Sequence, residues 1–326
     1  MRVSACFAVI LLHLSATIVM EGELLGTLDW HVANVIDAAT RWCVPVFVML
    51  SGALLLDPQK HVSRDEFWMR RMSRLLPALI VWSAIYLAWR ALFWKEPLSL
   101  GVISHDLLAG RPYIHLYFLF LIAGLYLVTP FLAKAIEGLS AAHLRQAILI
   151  IAALAMAANL FDFLGSSAFT LFVPYLAYYL GGWYCVRSRA APPYAQSAVG
   201  GAVVLIAVMT AFLVSARGLD DRWSFYFYED FSPTVMIMAA AIFVLILHGP
   251  IPPRIEALAQ RLAPWTLGIY IAHPIVVELL RYGYYKTIPI LLHPPYYVPV
   301  TFIATAVLTC GLIAFMQKIP GLRRIV

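Results

Sequence analysis

Two histidines and a handful of arginines carry what chemistry this chain offers, and all of them lie in or against apolar runs. His13 sits in the middle of MRVSACFAVILLHLSATIVM, with Arg2 eleven residues before it. On a helix that separation is three turns plus about 20°, so the two side chains share a face, about 16 Å apart along the axis. With Arg2 at an interface, His13 falls near the midplane of a hydrocarbon core about 30 Å thick. An ionisable group at that depth is costly, and function is its default explanation. His273, in WTLGIYIAHPIVVELLR, is a second imidazole at comparable depth, and Tyr270 three residues before it shares its face. A neutral imidazole accepts a proton, which is what a general base does. One buried polar pocket holding both rings is the economical reading. The alternatives are a histidine bonded to a neighbouring helix or, for the first stretch, a secretory leader. Against the leader stand His13 inside the apolar region and the lack of a clear A-x-A site.

The other polar side chains are cations and aromatics at the ends of apolar runs. RDEFWMRRMSRLLP is the densest basic cluster, and Arg71 and Arg74 project together on a helix with Arg70 beside them. Guanidinium forks bond phosphate oxygens bidentately, so the cluster suits a phosphorylated ligand; ordinary basic anchoring at the interface is the alternative. Arg41 precedes VPVFVMLSGALLL and is expected at the outer end of that span. Ser51–Gly52 within the run reads as a close contact between helices. His115 and Tyr117 open HLYFLFLIAGLYLVTP, with Arg111 just upstream. An interfacial aromatic belt accounts for Tyr117, while His115 and Arg111 are placed to bond a polar ligand. In ARGLDDRWSFYFYED, aromatics and carboxylates suit a sugar ring or an interfacial re-entrant loop equally.

The elements that hold these residues are membrane spans. The chain of 326 residues is 63% hydrophobic and 12% charged, with mean hydropathy +0.84. That balance excludes a soluble globular protein, and near-twenty-residue apolar runs without strict alternation exclude a barrel. An all-α polytopic membrane protein is expected, with ten spans near 2–20, 36–56, 75–94, 113–135, 146–164, 168–186, 197–216, 232–248, 263–281 and 297–316. If both termini are cytoplasmic, fifteen of the 23 Lys and Arg fall on inner segments, Lys60 and Arg189 among them. The net charge of +6 is therefore a topology signal, with no nucleic-acid partner expected. Cys6, Cys43, Cys185 and Cys310 fall inside spans and read as apolar packers; no metal site is expected. A single domain covering 1–326 is expected, without a soluble domain.

Five stretches, in this order and topology, resemble acyltransferase family 3, the membrane O-acyltransferases, over essentially the whole chain. They are Arg2 with His13 after ten intervening residues; VPVFVMLSGALLL; Arg71-Met-Ser-Arg74-Leu-Leu-Pro; HLYFL, with Tyr117 where the family has Trp; and GIYIAHP. The likeness is closest to the stand-alone branch that includes the enterobacterial common antigen O-acetyltransferase. The resemblance implies an O-acetyltransferase of the bacterial inner membrane that moves an acetyl group from cytoplasmic acetyl-CoA to a hydroxyl of a lipid-linked or exported glycan. It implies catalytic roles for His13 and Arg2, donor binding by Arg70, Arg71 and Arg74, and an acceptor side formed by Arg41, His115, Tyr117, Tyr270 and His273. His13 is then the general base, or the carrier of an acetyl-imidazole intermediate. The rival is a secondary transporter with His13 and His273 as a proton relay, which the lack of an inverted repeat disfavours.

Overall fold

A computed structural model describes residues 1–57, 63–161, 167–188 and 193–326. Lys60, Arg189, the end of the fifth expected span and residues 189–192 of the connector at 187–196 lie outside the described residues. The described chain is all-helical: α1 (Arg2–Val19), α2 (Leu28–Thr40), α3 (Cys43–Leu55), α4 (Arg64–Leu92), α5 (Leu100–Leu108), α6 (Tyr117–Glu137), α7 (Ala141–Leu160), α8 (Leu176–Ser188), α9 (Ala195–Arg217), α10 (Pro233–His248), α11 (Pro253–Leu262), α12 (Thr266–Thr287) and α13 (Pro294–Met316). Among the described residues, nine helical stretches are long and apolar enough to cross a membrane, counting Leu28–Leu55 and Pro253–Thr287 as one each. The protein is a multi-pass membrane protein.

Three details differ from expectation. The second span is two helices, starting at Leu28 and broken at Arg41–Trp42, so Arg41 lies at an internal break and not at an outer end. The sixth expected span is the 13-residue α8, entered through turns over 167–175 that contain Pro174; at 1.5 Å per residue it rises only about 20 Å. The third span starts eleven residues early, at Arg64, because the Ser63 hydroxyl caps the helix by accepting from the Glu66 N–H at 3.2 Å. The basic cluster is thus helical and continuous with the span.

The chain forms two compact units, Met1–Phe47 with Arg189–Phe315, and Val48–Ser188 with Met316–Val326. In the first, α1 and α2 pack as a hairpin closed by the buried Trp30, whose indole N–H donates to the Val19 carbonyl at 3.0 Å. The Asn34 amide ties α2 to α9 by donating to the Ala207 carbonyl at 2.8 Å. The loop expected to suit a sugar or to re-enter forms a 3-10 turn, Arg222–Tyr228, against α9 and α10, with Tyr228 buried. On α13 the fully buried Thr301, Thr305 and Thr309 make an inward stripe, while Ile303 and Val307 are exposed. Such an inverted helix, hydroxyls inward and hydrocarbon outward, is what lipid surroundings select. The same logic leaves Val204, Val208 and Phe212 of α9 exposed.

In the second unit α4 lies against α6, with the Trp68 indole donating to the Tyr126 carbonyl at 3.2 Å. Further along α4, Trp82 donates to Ile325 O at 2.9 Å and holds the terminal turn Leu322–Ile325. The α3–α8 crossing is a reciprocal glycine contact. A Cβ on Gly52 would overlap the Tyr179 carbonyl, and one on Gly182 would overlap that of Met49. This is the close helix approach read from Ser51–Gly52.

Candidate active site

The first unit brings His13 and His273 together from opposite ends of the sequence. Their ring centroids are 5.3 Å apart, tilted by 36°. α1 and α12 pack directly, with the Cys6 thiol against the Thr266 carbonyl at 3.5 Å. His273 is fully buried and His13 half-buried. The Nδ1 of His273 lies 2.7 Å from the Tyr270 carbonyl and 3.3 Å from that of Ile269. Carbonyls only accept, so Nδ1 carries the hydrogen and Nε2 is the acceptor nitrogen of the neutral ring. The ring orientation is fixed by its own helix. Pro274, next in sequence, has no N–H to offer the preceding turn. Tyr270 is buried with its ring 6.0 Å from His273 and 6.4 Å from Phe47.

Arg41 belongs to the same unit. Its Nε and Nη2 both donate to Asp37 Oδ1 at 2.5 Å, and its guanidinium carbon lies 3.9 Å from the centre of the Tyr228 ring. The Tyr228 hydroxyl donates to Asn34 Oδ1 at 2.5 Å. Asp37, fully buried, keeps its Oδ2 without a hydrogen-bond partner. Asp37, Asn34 and Tyr228 therefore support the site although the sequence reading singled out none of them. The available signal was an acidic residue four before Arg41, one helical turn away. Arg2 stands exposed at the first residue of α1.

The second unit holds the other expected residues. Arg71 is half-buried, its guanidinium 5.8 Å from the Phe67 ring and 6.0 Å from that of Tyr126. Arg74 is exposed, and Arg70 is exposed and ion-paired with Glu66 one turn earlier. The cluster thus divides into a paired guanidinium and two projecting from the adjacent face. His115 is 1% exposed, with the Tyr86 ring 4.8 Å away edge-on and Tyr113 at 5.8 Å. Arg111, expected to work beside it, is exposed and lines a cavity instead. Tyr117 is half-buried at the start of α6.

A half-buried imidazole beside a second imidazole of fixed orientation, with an anchored guanidinium in the same unit, is equipped for proton transfer at a polarised carbonyl. No curated protein matches the chain, and no solved structure does. A family model described as an acyltransferase domain matches residues 1–314, nearly the whole chain. The chain accordingly belongs to acyltransferase family 3 and is a membrane acyltransferase.

Proposed function

We propose that this acyltransferase transfers an acetyl group from acetyl-CoA to a hydroxyl of a lipid-linked or exported surface glycan in the bacterial inner membrane, as in the stand-alone branch that includes the enterobacterial common antigen O-acetyltransferase. The observation that carries the reading is the His13–His273 pair, which joins the first and the late resemblance motif at 5.3 Å. His13 takes the proton of the acceptor hydroxyl as the oxygen attacks the thioester carbonyl carbon. The C–S bond breaks, and the imidazolium returns the proton to the leaving thiolate, so ester and free thiol form without net proton change. His273 orients His13 or the acceptor. Arg41 polarises the carbonyl oxygen or lines the acceptor side, together with Tyr270 and, in the second unit, His115 and Tyr117. Arg71 and Arg74, with Arg70, hold the donor's phosphates. Arg2 steers the donor. Both termini are cytoplasmic, and one family match running through both units supports a single acyltransferase domain. The transporter alternative draws no support from the family.

The test is acetyl transfer by purified protein in lipid, with donor binding followed separately. His13→Ala should lose roughly 10²–10⁴-fold in turnover, the usual share of general-base catalysis, while donor binding survives. His273→Ala should cost less, and the double variant should be little worse than His13→Ala alone. Near-wild-type transfer by folded His13→Ala protein overturns the assignment.

A further inference from the structure

The helix α11, between the spans α10 and α12, buries none of its ten residues. At 100° per residue its Ile255, Leu258, Ala259 and Leu262 fall within one arc of about 100°. That apolar arc is bare, with Ile255 58% and Leu258 57% exposed, and Ile251 just ahead of the helix is exposed as well. Arg254 and Arg261, two turns apart, project within about 20° of one another along one flank of the arc. Both are exposed, and among the described residues neither has an ion-pair partner. On the other flank the Gln260 amide donates to Glu256 Oε1 at 3.2 Å, so the one carboxylate of the helix is engaged away from the arginines.

Chain connectivity decides what this face meets. The 22 residues of α12 rise about 33 Å, enough by themselves to cross a hydrocarbon core of about 30 Å. The residues of α11 are surplus to that crossing, and Arg254, Glu256, Gln260 and Arg261 make the helix too polar to join it. On its other side only residues 249–252 separate it from α10, and four residues reach at most about 14 Å. The helix is therefore held at the membrane surface. A second copy of the chain is a poor occupant, because three aliphatic side chains fall far short of the roughly 800 Å² per partner that a stable interface buries. We propose that α11 lies in the plane of the interface, with Ile255, Leu258 and Leu262 among the upper acyl chains and with Arg254 and Arg261 bonding the phosphates of anionic phospholipid. Neither donor nor acceptor enters this arrangement, and it is the same on either face of the membrane.

The experiment uses the full-length protein in nanodiscs, with Cys185→Ala and Cys310→Ala removing the two thiols that are not buried. Leu258→Cys, on the apolar arc, and Ala257→Cys, facing away from it, each carry one bimane label; Ile255→Cys replaces Leu258→Cys if the latter does not fold. The quenchers are aqueous iodide and phospholipids with a nitroxide high in the acyl chain. The label at 258 should be quenched by the nitroxide lipid and spared by iodide, and the label at 257 should behave in the opposite way. At 258, nitroxide phosphatidylglycerol should quench at a lower mole fraction than nitroxide phosphatidylcholine. Arg254→Gln and Arg261→Gln should each reduce that preference by about fivefold, the value of one arginine at an anionic surface. Equal iodide quenching at both positions would put the helix in water, and protection of 258 from both quenchers would put a protein partner on it; either result overturns the proposal. So does a headgroup preference that is missing from the parent or unmoved by both glutamine substitutions.

Discussion

The Asp37–Arg41 pair has unequal partners, because Asp37 is fully buried while Arg41 keeps a fifth of its side chain exposed. Removing Arg41 strands a carboxylate in the core, whereas removing both leaves only a small void. Arg41→Ala should destabilise the protein by about 3–5 kcal/mol, and Asp37→Ala/Arg41→Ala should cost less than the sum of the single substitutions. Unfolding in detergent measures both, and strictly additive costs would mean that the pair contributes nothing as a pair. In the basic cluster, Arg70 is already occupied by Glu66. Arg71→Ala and Arg74→Ala should therefore each raise the KM for acetyl-CoA by about ten- to a hundredfold, the value of a charge-assisted phosphate contact, and Arg70→Ala by less. Equal effects at all three positions would point to general electrostatics at the interface.

Helix contacts depend on features smaller than the helices themselves. The α3–α8 crossing admits no Cβ at Gly52 or Gly182. Gly52→Ala and Gly182→Ala should each cost about 1–3 kcal/mol by overpacking. Gly181→Ala, where a Cβ meets nothing within 4 Å, should be nearly silent in the same thermal unfolding experiment. Much of this scale was legible in the sequence. Apolar length marked most of the spans, and the Ser51–Gly52 interruption marked the close contact. The His13–His273 pairing was legible because two ionisable groups at similar depth share one low-dielectric solution. The break at Arg41–Trp42 was not, since the hydrophobic run continues through it and hydropathy does not register a turn paid for by side-chain bonds. Asp37 went unread because a lone carboxylate declares its partner only once the helix places Arg41 one turn away. His115 and Arg111 looked like neighbours with one task, but a four-residue separation in a turn sends one ring into an aromatic nest and the other side chain to a cavity wall.

For the molecule as a whole, sidedness decides from which face donor and acceptor enter. The proposal that both termini are cytoplasmic rests on the basic asymmetry of the sequence and needs an even span count, which requires α8 with its preceding turns to traverse the membrane, despite its 13 helical residues, beside the nine long apolar stretches among the described residues. Reporter fusions after Ser188 and at the C-terminus should read cytoplasmic, and one near Leu219 periplasmic. A periplasmic C-terminus would remove α8 from the spans and detach the donor side from the Arg71–Arg74 face.

The bond from Asn34 to Ala207 joins residues 173 apart in sequence. A ribosome adding about 5–20 residues per second needs about 9–35 s to cover that distance. For all of that interval the α1–α2 hairpin sits in or beside the translocation machinery with an amide still waiting for its acceptor. His13 waits longer, until α12 emerges. Biogenesis of this enzyme therefore calls for something that shelters polar groups in the first hairpin while the remainder is made.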